Sequence, residues 1–201
     1  MELAIDNTLE LRFVEETHQY FYGKRELPSV TTVLSEIVDF SMVKDEILEN
    51  ARVRGVAVHR ATELDDTGDL DEASVHPIIR PYLEGWRKFK AQCHFKSQYI
   101  EERVLSKQGW YAGTLDRIGI FGGGPALVDL KARSSMTPEI GPQLAGYAFA
   151  WKEMTGEDLY NRRYSVQLKP DGTYRLHHYD NDRDLDAFLA CLTLYNWRKS
   201  L

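Results

Sequence analysis

A chain of 201 residues, 43% hydrophobic and 28% charged, is long enough for one well-buried core and barely long enough for two, so a single domain spanning residues 1–201 is expected. Its two cysteines, Cys93 and Cys191, exclude a disulfide scaffold and any four-cysteine zinc or iron–sulfur site, and they point to a reducing compartment. The formal net charge of −6 weighs against a protein that coats nucleic acid with a basic surface, though not against an enzyme that meets phosphate through metal ions.

The N-terminal stretch "MELAIDNTLELRF" has no basic start leading into a long apolar run, and nowhere do about 18 consecutive apolar residues occur, so a soluble, cytoplasmic protein with no membrane partner is expected. In "LRFVEETHQYFYGKRELPSVTTVL" two short aromatic and β-branched runs precede Pro28 and a Ser/Thr cluster, which predicts a hairpin and then a helix over Val30 to Val38. Apolar residues spaced by three and four predict an amphipathic helix from Val43 to Leu64, carrying His59 and Glu63. A second long helix is expected from Pro77 to Gln92, with Ile78, Ile79, Tyr82, Leu83, Trp86 and Phe89 at core spacing.

Strands follow over Gln98 to Leu105, Trp110 to Phe121 and Ala126 to Ala132. Thr137, Pro138 and Glu139 form a helix start, because Thr can cap, Pro suits the first turn and Glu suits the positive end; that helix should stop at Gly156. The stretch "YSVQLKPDGTYRLHHYD" predicts a hairpin turning at Pro170, Asp171 and Gly172, and a last helix covers Arg183 to Arg198. This order predicts an α/β or α+β fold, a central mixed sheet flanked by helices.

The segment "YAGTLDRIGIFGGGPALVDLKARS" sets Asp116, Asp129 and Lys131 into two apolar runs. If Phe121 and Ala126 close a four-residue loop, Asp116 stands opposite Lys131 and Arg117 opposite Leu130. Opposed residues, and residues two apart, share a face, so Asp116, Asp129 and Lys131 converge on one side and Leu115 and Leu130 face a core on the other. A slip of one residue would undo this. Two neighbouring carboxylates repel unless a cation holds them, and hard divalent ions prefer carboxylate, carbonyl and water oxygens. A nearby ammonium can steer a water or stabilise charge developing on phosphate, which points to metal-assisted phosphodiester hydrolysis. A surface Asp116–Lys131 ion pair on an ordinary hairpin is the competing reading.

The pattern "GTLD" (Gly113 to Asp116), "DLK" (Asp129 to Lys131) and "QLAGY" (Gln143 to Tyr147) resembles the PD-(D/E)XK nuclease superfamily. Upstream, "GVAVHRATE" (Gly55 to Glu63) is similar to the histidine helix of its RecB-like branch, and "LPSVTTVL" to the opening segment of phage-type and mitochondrial genome maintenance exonucleases. The resemblance implies a restriction-endonuclease-like core and a metal-dependent deoxyribonuclease. It would be an exonuclease of DNA recombination, repair or phage replication in a bacterial or phage-infected cytosol.

By the same resemblance His59, Asp116, Asp129 and the Leu130 carbonyl bind Mg²⁺ or Mn²⁺, the imidazole making Mn²⁺ plausible. Lys131 positions the attacking water, and Gln143 and Tyr147, one helical turn apart, support Lys131 or contact the nucleic acid. Glu102 matches an acidic residue on the preceding strand; Glu101 is its rival, since alternation lets only one face the site.

Other readings compete. His59 alone could be a hydrogen-bonded core residue, Tyr147 could be plain core, and Glu63 could merely pair with Arg60 or Arg52. Arg162, Arg163, Lys169, Arg175 and Arg183 form a cationic group that could track DNA, single-stranded or duplex, although most such charges are solvated surface. Trp110 and Tyr111 could stack on bases or pack in the core. His177 and His178 alternate along a strand and cannot chelate one ion together. "GGGP" is a turn and not a nucleotide cradle. A catalytically inactive module that docks DNA, or a recombination or single-strand-binding partner, is the rival function, and the motifs do not separate exonuclease from structure-specific endonuclease or ribonuclease action.

Overall fold

The computed structural model describes residues 10–38 and 44–201; the leading stretch to residue 9 and the expected helix start at Val43 lie outside them. Three short strands open the described chain: β1 (Leu11–Val14), β2 (Gln19–Tyr22) and β3 (Arg25–Leu27), paired antiparallel in that order. Helix α1 (Val30–Leu34) begins where the Ser29 hydroxyl accepts the Thr32 N–H at 2.9 Å. It ends four residues before Val38, because Glu36 and Ile37 tighten to carbonyls three residues back.

Helix α2 (Asp45–Thr67) starts with two acids and ends at Gly68, whose φ of 81° suits a left-handed cap. A 3₁₀ turn over Glu72–Ser74, absent from the sequence expectations, leads to α3 (Arg80–Cys93) with a proline in its first turn. Ile78, expected at core spacing, precedes this helix and is exposed.

A five-stranded sheet follows in chain order: β4 (Lys96–Ser106), β5 (Tyr111–Phe121), β6 (Gly124–Lys131), β7 (Arg163–Leu168) and β8 (Tyr174–Tyr179). Helix α4 (Ile140–Thr155) is the crossover between β6 and β7, the one parallel strand pair of this sheet, and α5 (Asp184–Lys199) follows β8. Expected and observed architecture agree: a mixed sheet flanked by helices. Thr137 does not cap α4; its carbonyl accepts the Ile140 N–H, and the cap position falls to Glu139 without a side-chain bond.

The β5–β6 turn differs from the four-residue loop expected. Phe121 pairs with Gly124 around Gly122 and Gly123, at φ 56° and 84°, the two positive angles a two-residue hairpin turn needs. The pairing therefore shifts by two residues, setting Arg117 opposite Val128. A shift of two preserves faces along the ladder, but the ladder stops at Arg117 and Val128, short of Asp116.

Two cores sandwich the sheet. Val30, Leu127, Ile140, Leu144 and Phe188 bury one face under α1, α4 and α5; Val58, Leu83, Trp86, Phe89, Val128 and Val166 bury the other under α2 and α3. Burying each such large apolar side chain contributes roughly 1.5–3 kcal/mol before entropy is subtracted. Leu115 and Leu130 were expected on one face, yet Leu115 joins the α4 core and Leu130 the α2–α3 core. Leu115 and Ile118, three residues apart, lie in the same core, so the strict alternation of β5 breaks between them, at Asp116 and Arg117. Among the described residues no helix is long and apolar enough to cross a membrane.

Candidate metal centre

The site opens where two strands part. The β5–β6 ladder ends at Arg117 and Val128, and one step beyond it the Asp116 carboxylate fills the gap, its Oδ2 accepting the Leu130 N–H at 2.6 Å. On β4, Glu101 adopts φ 51°, a left-handed conformation uncommon for a glutamate. It carries no rung of the ladder, while Ile100 and Glu102 on either side pair with Arg117 and Leu115. This backbone break turns Glu101 toward the gap, so Glu101 takes the place expected for Glu102, which stands opposite core residue Leu115.

His59, on α2, reaches the same point from the other layer. Its Nδ1 lies 3.4 Å from Asp116 Oδ1 and 3.8 Å from Glu101 Oε1, and its Nε2 is 3.1 Å from the Leu130 carbonyl oxygen. One atom each from His59, Glu101 and Asp116 lie within 4.8 Å of one another. Burial alone would push the imidazole pKa down, but the Asp116 and Glu101 carboxylates outweigh it and raise it to about 9. Without a metal, His59 is thus a cation bridging two acids.

An imidazole nitrogen and two carboxylates at this spacing fit a divalent ion. With Nδ1 facing the acids, Nε2–H is left to donate to Leu130, an arrangement that fixes the tautomer of a ligating histidine. The Leu130 carbonyl, expected as a ligand, is here a partner of the imidazole.

Asp129 and Lys131 sit beside this cluster on β6. Lys131 Nζ donates to Asp129 Oδ1 at 2.8 Å, and the Ser165 hydroxyl donates to Asp129 Oδ2 at 3.2 Å. Burial raises the Asp129 pKa, Lys131 opposes the rise and Asp116 adds to it. The Asp116–Lys131 ion pair of the competing reading does not form; Lys131 pairs with Asp129. From α4, Gln143 Nε2 donates to the Tyr147 hydroxyl at 3.4 Å, and neither bonds to Lys131. Burial raises the Tyr147 phenol pKa, opposed by Gln143 and reinforced by Asp116 and Asp129, so it stays neutral beside the acids. Room for its ring comes from Gly113, where an added Cβ would lie 2.6 Å from Tyr147 Cε1.

Arg117 was passed over in the sequence. Its fully buried guanidinium donates to Asp66 Oδ2 at 2.7 Å, Glu101 Oε1 at 3.0 Å, the Asp116 carbonyl at 2.6 Å and Thr62 Oγ1 at 3.3 Å. Asp66 in turn accepts from Trp86 Nε1 at 3.0 Å and Lys90 Nζ at 2.5 Å. Arg117 therefore anchors Glu101 to α2 and α3. The available signals were an arginine in a buried run and the acidic pair Asp65–Asp66 ending a helix.

The expected cationic group does not hold together. Arg163 is buried, donating to the carbonyls of Tyr160, Gly141 and Asn181 and pairing with Asp184 at 3.2 Å, so it has no donor to offer phosphate. Arg162 is turned onto the carbonyls of Phe121, Gly124 and Pro125, where it clamps the hairpin turn. Lys169 is half-buried, while Arg175 and Arg183 are exposed. Tyr111 is core, its hydroxyl donating to the Gly146 carbonyl, whereas Trp110 is 36% exposed. Glu63 pairs with Arg60 at 2.8 Å. His177 faces Gln167 and His178 the Asn161 carbonyl, separate partners as alternation requires.

No protein-family model matches the chain. No curated protein sequence matches it either. Among solved structures it is similar to a crystal structure from Eubacterium rectale described as a "putative exonuclease", with a TM-score of 0.54 and 14% identity. The match covers 72% of this chain and 65% of that one. At that identity the likeness is one of fold. Fold and site together define a mixed α/β core, similar in fold to that structure, carrying a His–Glu–Asp cluster able to hold a metal ion.

Proposed function

We propose that this chain is a metal-dependent deoxyribonuclease of the RecB-like branch of the PD-(D/E)XK superfamily, acting as an exonuclease in DNA recombination, repair or phage replication. The observation that carries the reading is the convergence of His59, Glu101 and Asp116 within 4.8 Å, beside the Asp129–Lys131 pair. An ordinary surface hairpin has no reason to draw an imidazole and a third carboxylate from two other elements.

His59 Nδ1, Glu101 and Asp116 would hold Mg²⁺ or Mn²⁺, with Asp129 alongside. The ion, when bound, would supply Lewis acidity and positive charge for hydrolysis of a phosphodiester. Asp129, itself bonded by the Ser165 hydroxyl, holds the Lys131 ammonium at the edge of the site, where it would orient the attacking water and face the charge growing on phosphate. Arg117 keeps Glu101 in place, and buried Tyr147 walls the carboxylates against bulk water. The substrate is a DNA strand end; Glu102 yields its place to Glu101, the Leu130 carbonyl serves the imidazole rather than the ion, and Gln143 and Tyr147 act beside the carboxylates rather than on Lys131.

A fluorescent oligonucleotide incubated with Mn²⁺, Mg²⁺ or EDTA tests this. Cleavage should require the metal and vanish in Asp116→Ala, Asp129→Ala and Lys131→Ala proteins that still unfold cooperatively. Metal-independent cleavage, or full activity in Lys131→Ala, would refute the assignment.

A further inference from the structure

The small three-stranded sheet has no part in the candidate centre, yet it packs beside it. Tyr20 and Leu27 bury against Leu105 of β4 and Ala112 of β5, and the Tyr20 hydroxyl bonds to Thr114 Oγ1 at 2.8 Å. Thr114 pairs across the ladder with Arg103, so this pair lies two residues along each strand from Glu101 and Asp116.

Exposed cations rest on aromatic rings along the seam between sheet and strands. Arg103 lies 5.2 Å from the Phe13 ring centroid, Lys107 5.0 Å from that of Tyr22 and Arg25 4.0 Å from that of Trp110. The Tyr22 and Trp110 rings stand 6.2 Å apart. All three cations are exposed, and none takes part in the ion pairs formed among the described residues. Arg52, Arg60, Arg87, Arg117 and Arg163, by contrast, all face carboxylates. Arg12, stacked on Phe21, belongs to the opposite face of the small sheet, since both alternate with the residues that pack inward.

In a chain of net charge −6, these cations form no ion pair among the described residues and interleave with solvent-reachable rings, unlike the carboxylate-paired arginines. Unpaired cations attract phosphate, and ring faces accept any base, which is the chemistry of sequence-tolerant single-strand binding. A duplex hides its base faces, so the rings favour an unpaired strand. The six residue steps from Glu101 to Lys107, just past the end of β4, span about 20 Å, the length of a few nucleotides.

We propose that a single-stranded nucleic acid lies along this seam, its phosphates meeting Arg103, Lys107 and Arg25 and a base stacking on Trp110, so that its end enters the centre at Glu101 and Asp116. The strand's arrival at a cleaving centre rests on the function proposed above; binding at the seam does not.

The test reads binding alone. Anisotropy of a fluorescein-labelled oligo-dT of about 15 nucleotides is measured in EDTA across a salt series, a length matched to common single-strand site sizes. The Arg25→Gln/Arg103→Gln/Lys107→Gln protein should bind about tenfold or more weakly, with the slope of log K against log salt shallower by about 2. Trp110→Asn, an exchange suited to the φ of 52° there, should weaken binding about fivefold or more and leave the slope unchanged. Arg25→Lys/Arg103→Lys keeps the charges and should keep the slope, which separates charge loss from misfolding.

Failure of the wild-type protein to bind oligo-dT, wild-type affinity and slope in the triple variant, or equal binding of a blunt duplex of that length would overturn the proposal. Because no metal is present, an absence of cleavage in the separate assay would sink the nuclease reading without touching this result.

Discussion

His59 is a histidine whose surroundings oppose one another. Burial favours the neutral ring, Asp116 and Glu101 favour the cation, and the acids win, placing the pKa at about 9 against an ordinary 6.5. A histidine pKa raised by folding stabilises the native state fully below its unfolded value, and the contribution fades as pH rises through the folded value. The metal-free protein should therefore lose stability between about pH 6.5 and pH 9, by at most about 3 kcal/mol. Thermal unfolding in EDTA should show this slope in the wild type and a flatter profile in His59→Gln, and identical profiles would dissociate His59 from the acids. Arg117 is the second residue whose loss should be felt. Arg117→Met leaves Asp66 and Glu101 short of a partner in a buried network, a change that typically costs about 3 kcal/mol, eased here because Lys90 still reaches Asp66. Urea denaturation should give a midpoint well below wild type, partly recovered in Arg117→Met/Asp66→Leu if the harm lies in the stranded carboxylate.

At the scale of elements, the parting of β5 from β6 creates the site, and glycine at 113 keeps it lined. Gly113→Ala sets a methyl 2.6 Å from a ring carbon of Tyr147, inside any real contact distance, so the ring or strand β5 must shift. A loss of about 1–3 kcal/mol is expected by denaturation, with a change in the near-ultraviolet dichroism of the displaced tyrosine; unchanged stability and spectrum would mean that the helix gives way freely. The same region shows what can be read from a sequence. Helices α2 to α5, the β7–β8 hairpin and the Gly156 stop follow from period, turn residues and glycine stops, because those signals act locally, although no side chain caps the start of any of these helices. Asp116, Asp129 and Lys131 were legible as candidates from carboxylates and an ammonium set into apolar runs, but a shared strand face is not the reason they meet: the alternation of β5 breaks at Asp116 and Arg117, and Asp116 reaches the Leu130 N–H where pairing has ended. The choice of Glu101 over Glu102 was not, since it depends on a single left-handed backbone angle in mid-strand. Nor was the burial of Arg163, set by carbonyls of Gly141, Tyr160 and Asn181 that tertiary packing brings together. Arg117 escaped notice for a similar reason, its partner Asp66 being 51 residues away.

Across the whole molecule, residues 59, 101 and 116 come from α2, β4 and β5, so an ion held among them would tie the α2–α3 layer to the sheet. A ligand that binds only the folded state stabilises it by mass action, about 2.7 kcal/mol at a hundredfold excess over its dissociation constant. Binding must also expel the proton that His59 carries below pH 9, since a ligating imidazole is neutral. The two effects are coupled: where the metal-free protein is most stable, at low pH, the proton competes most strongly with the metal. Mn²⁺ affinity measured by calorimetry should therefore rise about tenfold per pH unit from pH 6.5 toward 9, with about one proton released into buffer. The gain in unfolding temperature on adding Mn²⁺ should grow in parallel. Asp116→Asn, which keeps an oxygen for the Leu130 N–H but removes one of the two charges holding the imidazolium, should lose the stabilisation by Mn²⁺ while folding at low pH. Mn²⁺ affinity independent of pH across that range would mean that the ion, if bound, sits away from His59 and leaves its proton in place.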